Sequence, residues 1–511
     1  MSLNLVSRRK LRTVLLWIAV SLALVTAIWL SVIAWWQMTQ RQITTTDALL
    51  YLGVLPLGAL LCTGLLFWRL SARRPLKNMG QPSTVPAECV SSDDAPVIEM
   101  QAQSLPILTA WAITSLSSIG DEFIESLAEQ RHRPNPDESL TDSHGFPLLT
   151  GRVKDLDTAS VERRLHLIEP DLAQDGICID NPRDAFLRLL ALLDSLLEQA
   201  EQDWPLLSIA SEEGSKQESI ATLRGALTSS TAAAAPLILH VKLLVSEELE
   251  SGEALAAQAY VTQRLSTIRA LPSVPRVEVI GAANDTKAIM LANEFGRETL
   301  CSHGADVPQA LLLLAAESTL CDTIVERWEV QERLFDPRRP EGLMPGEGAF
   351  GILCANRKAM DVFDALPFCY LASVAFARRE VPTSGRDNHE CLAELINSAL
   401  TRAGVSAGTI GTVVCDADHR TSRTLESIEA MLSHIPHLDA IQNRIATNQV
   451  CGHVGAASAL SVLAAGALRA DSAGHPVLLL NVSHANERAA AVALPINIER
   501  IPDDIQTPQA A

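Results

Sequence analysis

The sequence predicts an α/β fold: a layered body over residues 105–500, preceded by a hairpin of two membrane-spanning helices. Three observations carry this prediction. Two long apolar runs near the N-terminus contain no charged residue. Residues 75–104, rich in Pro, Ser and acids and without periodicity, read as a linker. Beyond the linker, apolar strand-like runs alternate with amphipathic helical segments, the pattern of helices packed on sheets. A chain of 511 residues has room for one large domain or two medium ones besides such appendages.

The first run, residues 13–36, is long enough to cross a bilayer as a helix and ends in Trp35 and Trp36, which suit a membrane interface. The second, residues 48–68, contains Pro56 and Gly58, which membrane helices tolerate. A signal peptide would have a shorter apolar core and a small-residue cleavage site. Arg8, Arg9, Lys10 and Arg12 precede the hairpin and Arg69, Arg73, Arg74 and Lys77 follow it, whereas the connecting loop holds only Arg41. Basic residues stay on the cytoplasmic side, so both ends are expected in the cytoplasm of a bacterial inner membrane, with residues 1–74 as the anchor.

Residues 1–80 hold nine Lys/Arg and one acid, which leaves 32 basic and 59 acidic residues, a net −27, for the rest. Such a surface disfavours nucleic acid and favours basic partners. The ten cysteines show no CxxC pair and no zinc-like spacing, as expected of small core residues in a reducing compartment.

Within the body, residues 105–114 read as a buried strand, followed by a helix over 118–131 with Phe123, Ile124 and Leu127 on one face. Residues 181–200 read as a helix with Asn181 as cap and Pro182 in its first turn. Residues 236–246 and 309–318 read as strands. Residues 391–404 place Leu392, Leu395, Ile396, Ala399 and Leu400 on one helical face and stop at Gly404. Residues 409–415, 476–482 and 489–495 complete the strands, in halves of about 105–320 and 321–500, with 501–511 as a tail.

Two stretches carry chemical information. The run 444–465, RIATNQVCGHVGAASALSVLAA, resembles the Gly-His-x-x-Gly-Ala-Ala segment of condensing enzymes of the beta-ketoacyl synthase class. Residues 333–359 resemble the same family's turn and strand, with Asp336, Gly342, Gly346, Glu347, Gly348 and Ala349 matching. The likeness covers roughly 330–495. It implies a thiolase-like body of two similar halves stacked in five αβαβα layers, and a homodimer formed through an edge strand.

Decarboxylating condensation uses a nucleophilic Cys at a helix N-terminus, two polar donors and a lysine. By the resemblance, His453 matches the second histidine. The lysine, five residues earlier, is replaced by Asn448. The first histidine, eleven residues before the motif glutamate Glu429, is replaced by Asp418, with His419 one residue away. The family's Asp-Thr-Ala-Cys falls on Asp285, Thr286, Lys287 and Ala288, which removes the thiol; Cys301 and Cys321 are alternatives, though neither reads as preceding a clean helix. Ser483 and His484 stand where the family has a glycine-rich loop and read as loop polars. His434 and His437 flank a proline and carry no metal signature. Residues 404–408, GVSAG, spell G-x-S-x-G but read as a helix-ending turn and not as a nucleophile elbow, and no P-loop or H-E-x-x-H pattern is present. No cofactor or metal is expected.

The stretch 108–153, ending in Asp142, Gly145, Phe146 and Pro147, resembles the type VI secretion lipase-adaptor family. That likeness implies a non-catalytic adaptor or chaperone whose partners are a phospholipase-type effector and a secretion spike protein. The alternative is a membrane-bound condensing or acyl-transfer enzyme with an atypical site.

Overall fold

In a computed structural model, the described residues are 104–496 apart from 117–119, 130–132, 175–182, 205–236, 269–274, 283–285, 302–306, 364 and 379–387. The hairpin over residues 13–36 and 48–68, the linker up to residue 103 and the tail 501–511 lie outside them. Among the described residues, no helix is long and apolar enough to cross a membrane.

The first half opens with β1 (Leu105–Ile113), buried at every position, as its apolar run requires of a strand covered on both faces. Helix α1 (Gly120–Glu129) follows, then a hairpin of β2 (Asn135–Thr141) and β3 (Pro147–Thr150). Its turn is closed by Asp142 Oδ1, which accepts N–H bonds from His144 at 2.9 Å and Phe146 at 2.8 Å. Next come α2 (Thr158–Gln174), α3 (Asp184–Asp203), β4 (Ile238–Ser246), α4 (Ser251–Ser266), β5 (Val277–Ala282), α5 (Lys287–Cys301), β6 (Gln309–Ser318), α6 (Asp322–Val330) and β7 (Glu347–Ala355). Helix α3 starts later than the sequence predicts: Arg183 is its N-cap, with no side-chain capping bond, while Asn181 and Pro182 lie outside the described residues.

The second half comprises α7 (Arg357–Phe363), β8 (Cys369–Leu371), β9 (Ala375–Arg378), α8 (Asn388–Ala403), β10 (Thr412–Cys415), α9 (Thr421–His434), β11 (Arg444–Ala446), α10 (Asn448–Cys451), α11 (Ser458–Ala473), β12 (Val477–Asn481) and β13 (Glu487–Pro495). Helix α8 stops at Gly404, whose φ of +63° favours glycine, as the sequence predicts.

The strand order shows the repeat. From edge to centre the first half runs β5-β4-β6-β7-β1 and the second β11-β10-β12-β13-β8. Numbering each half's five sheet strands in chain order gives 3-2-4-5-1 twice. In both, the fifth strand runs antiparallel to its neighbours and the second to its third and fourth runs parallel. The halves meet where β1 pairs antiparallel with β8, Leu105 opposite Leu371, and the first half runs to Ala355 instead of ending near 320, because β7 pairs with β6 and β1.

Three apolar clusters define the layers. The two half-sheets, joined through β1 and β8, act as a first and a second sheet, and one cluster gathers α1, α5 and α11 between their inward faces. A second places α2, α3, α4 and α7 on the outer face of the first sheet. A third places α8 and α9 on the outer face of the second. This is the αβαβα stacking the resemblance implies. Helix α11 is buried almost throughout, and its small residues let it lie between sheets: a Cβ at Gly466 would stand 2.1 Å from Leu479 Cδ2.

Candidate functional site

The carboxyl ends of β4, β6, β10 and β12 open on one side, where an α/β sheet places its ligands. A cleft of about 720 Å³ lies there, and a smaller recess of about 80 Å³ adjoins it; His453 and Gly455 line both.

Backbone crossings set His453 in place. Its N–H donates to Met344 O at 2.8 Å. Gly151 N–H donates to Pro345 O at 3.0 Å. A Cβ at either Gly151 or Gly346 would stand 2.0 Å from Cys451 O, and one at Gly452, where φ is +72°, 2.7 Å from Pro345 O. Three chain segments therefore touch through backbone alone. The His453 ring packs edge-on against Trp328, centroids 5.5 Å apart, and the Arg333 guanidinium lies 5.9 Å from the Trp328 centroid. Burial, reinforced by Arg420 and Arg333 and opposed by Asp418, pushes His453 down to about 4, so it is neutral at pH 7. Its Nδ1 is buried without a hydrogen-bond partner among the described residues.

Asn448 is buried in α10, and its Nδ2 donates to Ser458 Oγ at 3.0 Å. Thr447 and Ser461 share a 2.8 Å hydroxyl contact beside it. The position is neutral and ties the loop to α11. Asp418 is buried and accepts Arg420 Nε at 2.9 and 2.8 Å, while Arg420 Nη2 reaches Ser483 O and Oγ at 3.3 Å. His419 packs edge-on against Phe335, centroids 4.9 Å apart, and burial lowers its pKa; it does not line the cleft.

Thr286 and Ala288, at the start of α5, are buried, and Thr286 Oγ1 donates to Glu487 Oε2 at 2.6 Å; Asp285 lies outside the described residues. Ala288 offers no thiol. Cys301 closes the far end of α5, roughly 20 Å along the axis at about 1.5 Å per residue. Cys321 corrects the sequence reading, because it is the N-cap of α6 and stands directly before a helix. It nevertheless lines another recess, with Arg188 and Leu320, and burial raises its pKa. Burial likewise pushes the Cys451 thiol, two residues before His453, up to about 12.

Ser483 and His484 line the cleft with His453. The loop carrying them is pinned by buried Asp416, which accepts N–H bonds from Val482 at 2.6 Å and Ser483 at 3.0 Å. His434 contacts Asn397 Oδ1 at 3.1 Å and His437 donates to Ile410 O at 2.9 Å, two separate partners; no metal-binding group of His, Cys, Asp and Glu occurs among the described residues.

Glu347 is a structural hub. Fully buried, it accepts Val153 N–H at 2.8 Å, Ser318 Oγ at 2.9 Å and Arg188 Nε at 2.8 Å, binding the hairpin, β6 and α3 to β7. Sequence reasoning missed Trp328, Arg333 and Arg420 as site residues. No motif marks them; α6 and the loop before α9 bring them to His453.

No protein-family model matches the sequence, and no curated protein sequence matches it. Solved structures do match. The ishigamide ketosynthase/chain length factor is 17% identical with a TM-score of 0.50, over 77% of this chain and 100% of that one. The ketosynthase from module 6 of the bacillaene synthase from Bacillus subtilis 168 is 11% identical with a TM-score of 0.50, over 78% of this chain and 73% of that one. The chain has the thiolase-like fold of ketosynthases.

Proposed function

We propose that this chain is a non-catalytic, membrane-anchored adaptor or chaperone on a ketosynthase-like scaffold, which loads a lipase-type effector onto a type VI secretion spike. The observation that carries the non-catalytic part is Ala288, buried at the helix start where a condensing enzyme holds its thiol. Asn448, hydrogen-bonded and neutral, and Asp418, closed on Arg420, support it further. The type VI assignment rests on the likeness of residues 108–153. The apolar runs within residues 1–74 would hold the body at the inner membrane, with residues 75–104 as tether and both termini cytoplasmic. A homodimer is compatible with this arrangement.

The test has two arms. The full-length protein is incubated with an acyl thioester and weighed intact, and it is mixed with candidate effector and spike proteins for co-purification. An unmodified mass with a stable effector complex is expected. A covalent acyl adduct turning over to product, without effector binding, would overturn the reading in favour of an atypical acyl-condensing or acyl-transfer enzyme. A periplasmically active C-terminal phosphatase fusion would overturn the topology.

A further inference from the structure

Arginines and neutral imidazoles line the cleft together with a rim of carboxylates. Arg420, Arg423, Arg339, His453 and His484 line it half-buried, with Arg420 paired to Asp418, Arg423 to Glu426 and Arg339 to Asp336, whereas Glu247, Glu248, Glu332, Glu341 and Arg333 line it exposed. His484 Nδ1 accepts N–H bonds from Asn486 at 3.3 Å and Glu487 at 3.0 Å, which leaves the proton of the neutral ring on Nε2. Arg420 spends Nε on Asp418 and Nη2 on Ser483. Arg333 is exposed, holds its place over Trp328, and has no carboxylate partner among the described residues. Burial is the main cause that keeps both imidazoles neutral. Among nearby charges Arg420 adds to the effect at His453, opposed by Asp418, while at His484 the opposing Glu487 comes before Arg488, Arg423 and Arg378.

We propose that the cleft captures a carboxylate carried on an extended acidic segment of the partner protein, held by Arg333 and Arg420 with His453 and His484 as neutral N–H donors. This rests on the adaptor reading, since a cleft without a nucleophile is free to hold a group delivered by a protein. Charge-assisted bonds to guanidinium supply the affinity, and each neutral imidazole can donate its one N–H to a carboxylate oxygen. Residues 81–511, at net −27, repel acidic peptides elsewhere on the surface, which favours such binding at this cleft.

The experiment measures fluorescence anisotropy of a labelled hexaglutamate peptide, and of its hexaglutamine counterpart, on the full-length chain in detergent. Binding of the first alone is expected, competed by acetate more effectively than by inorganic phosphate. Arg333→Met should weaken it by about tenfold or more, and Arg420→Met likewise, while Arg357→Met on the outer helix α7 leaves it unchanged. Arg333 is exposed and outside the core, so its variant decides the matter if the Arg420 variant does not fold. Equal binding of both peptides, or an undiminished signal in Arg333→Met, overturns the proposal. Preferential displacement by phosphate also overturns it, in favour of a phosphate ligand. If the effector binds wild type and Arg333→Met equally, the cleft assignment fails and the adaptor reading stands. Acylation with turnover would remove the adaptor reading itself.

Discussion

Thr286 Oγ1 donates a 2.6 Å hydrogen bond to Glu487 Oε2, with both side chains buried. The bond joins the start of α5, in the first half, to the first residue of β13, in the second. Hydrogen bonds to charged acceptors contribute about 1.5–3 kcal/mol. Thr286→Val, which keeps the shape and removes the donor, should lower unfolding stability by that amount. Denaturant unfolding of wild type and variant checks this, and coincident midpoints would refute it.

Arg488 is fully buried and pairs with Glu426 through Nε–Oε1 at 2.6 Å and Nη2–Oε2 at 2.8 Å. Removing one member of a buried pair costs about 3–5 kcal/mol, more than the pair itself is worth. Arg488→Met should be strongly destabilising, and adding Glu426→Gln should restore part of the loss. A double variant less stable than the sum of the two singles would contradict the pairing.

Acid should destabilise the body in a defined window. The folded His453 pKa, about 4, lies below the ordinary imidazole value of 6.5, so the unfolded chain takes up a proton that the folded chain refuses. The stabilisation is complete above pH 6.5 and is lost as pH falls toward 4. It amounts to about 3 kcal/mol at roughly 1.4 kcal/mol per unit. The lowered pKa values of His419, His475 and His484 act in the same direction. The lowered carboxylates Asp336 and Asp439 lose their contribution only at lower pH, below their unfolded values. His453→Gln should flatten the pH dependence of unfolding free energy between 6.5 and 4, and an unchanged slope would refute the assignment.

Placing a thiol at Ala288 should not create a condensing nucleophile. The helix dipole favours a thiolate there, but the position is fully buried, and burial pushes the nearby class of thiols upward, Cys451 to about 12. Ala288→Cys should therefore remain unmodified by an acyl thioester at neutral pH in intact-mass measurements. Rapid acylation would show that the surroundings still support a nucleophile.

The strands were legible where apolar runs are continuous: residues 309–318 coincide with β6, and the helical face Leu392, Leu395, Ile396, Ala399 and Leu400 is buried as its spacing predicts. Boundaries failed where charge is buried. Strand β13 begins at Glu487 because Glu487 and Arg488 are paired inside, whereas hydropathy starts it at Ala489. The β2–β3 hairpin was invisible because its faces are largely polar and exposed. Helix α6 was missed for its short length, and with it Cys321 as a cap and Trp328 as the wall behind His453. At the site, spacing located His453, Asn448 and Asp418, but their partners, Trp328, Ser458 and Arg420, depend on tertiary packing that no local pattern records.

The contact of Gly151 and Gly346 with the Cys451 carbonyl has a consequence for how such chains are inherited. A single methyl group at either glycine would collide with backbone, which has nowhere to retreat. The Gly-His spacing is thus a mechanical joint, and its upkeep is independent of any reaction. Any chain that keeps this crossing must keep both glycines, whatever its cleft does, so the spacing speaks for the shape of the chain and leaves open its present trade.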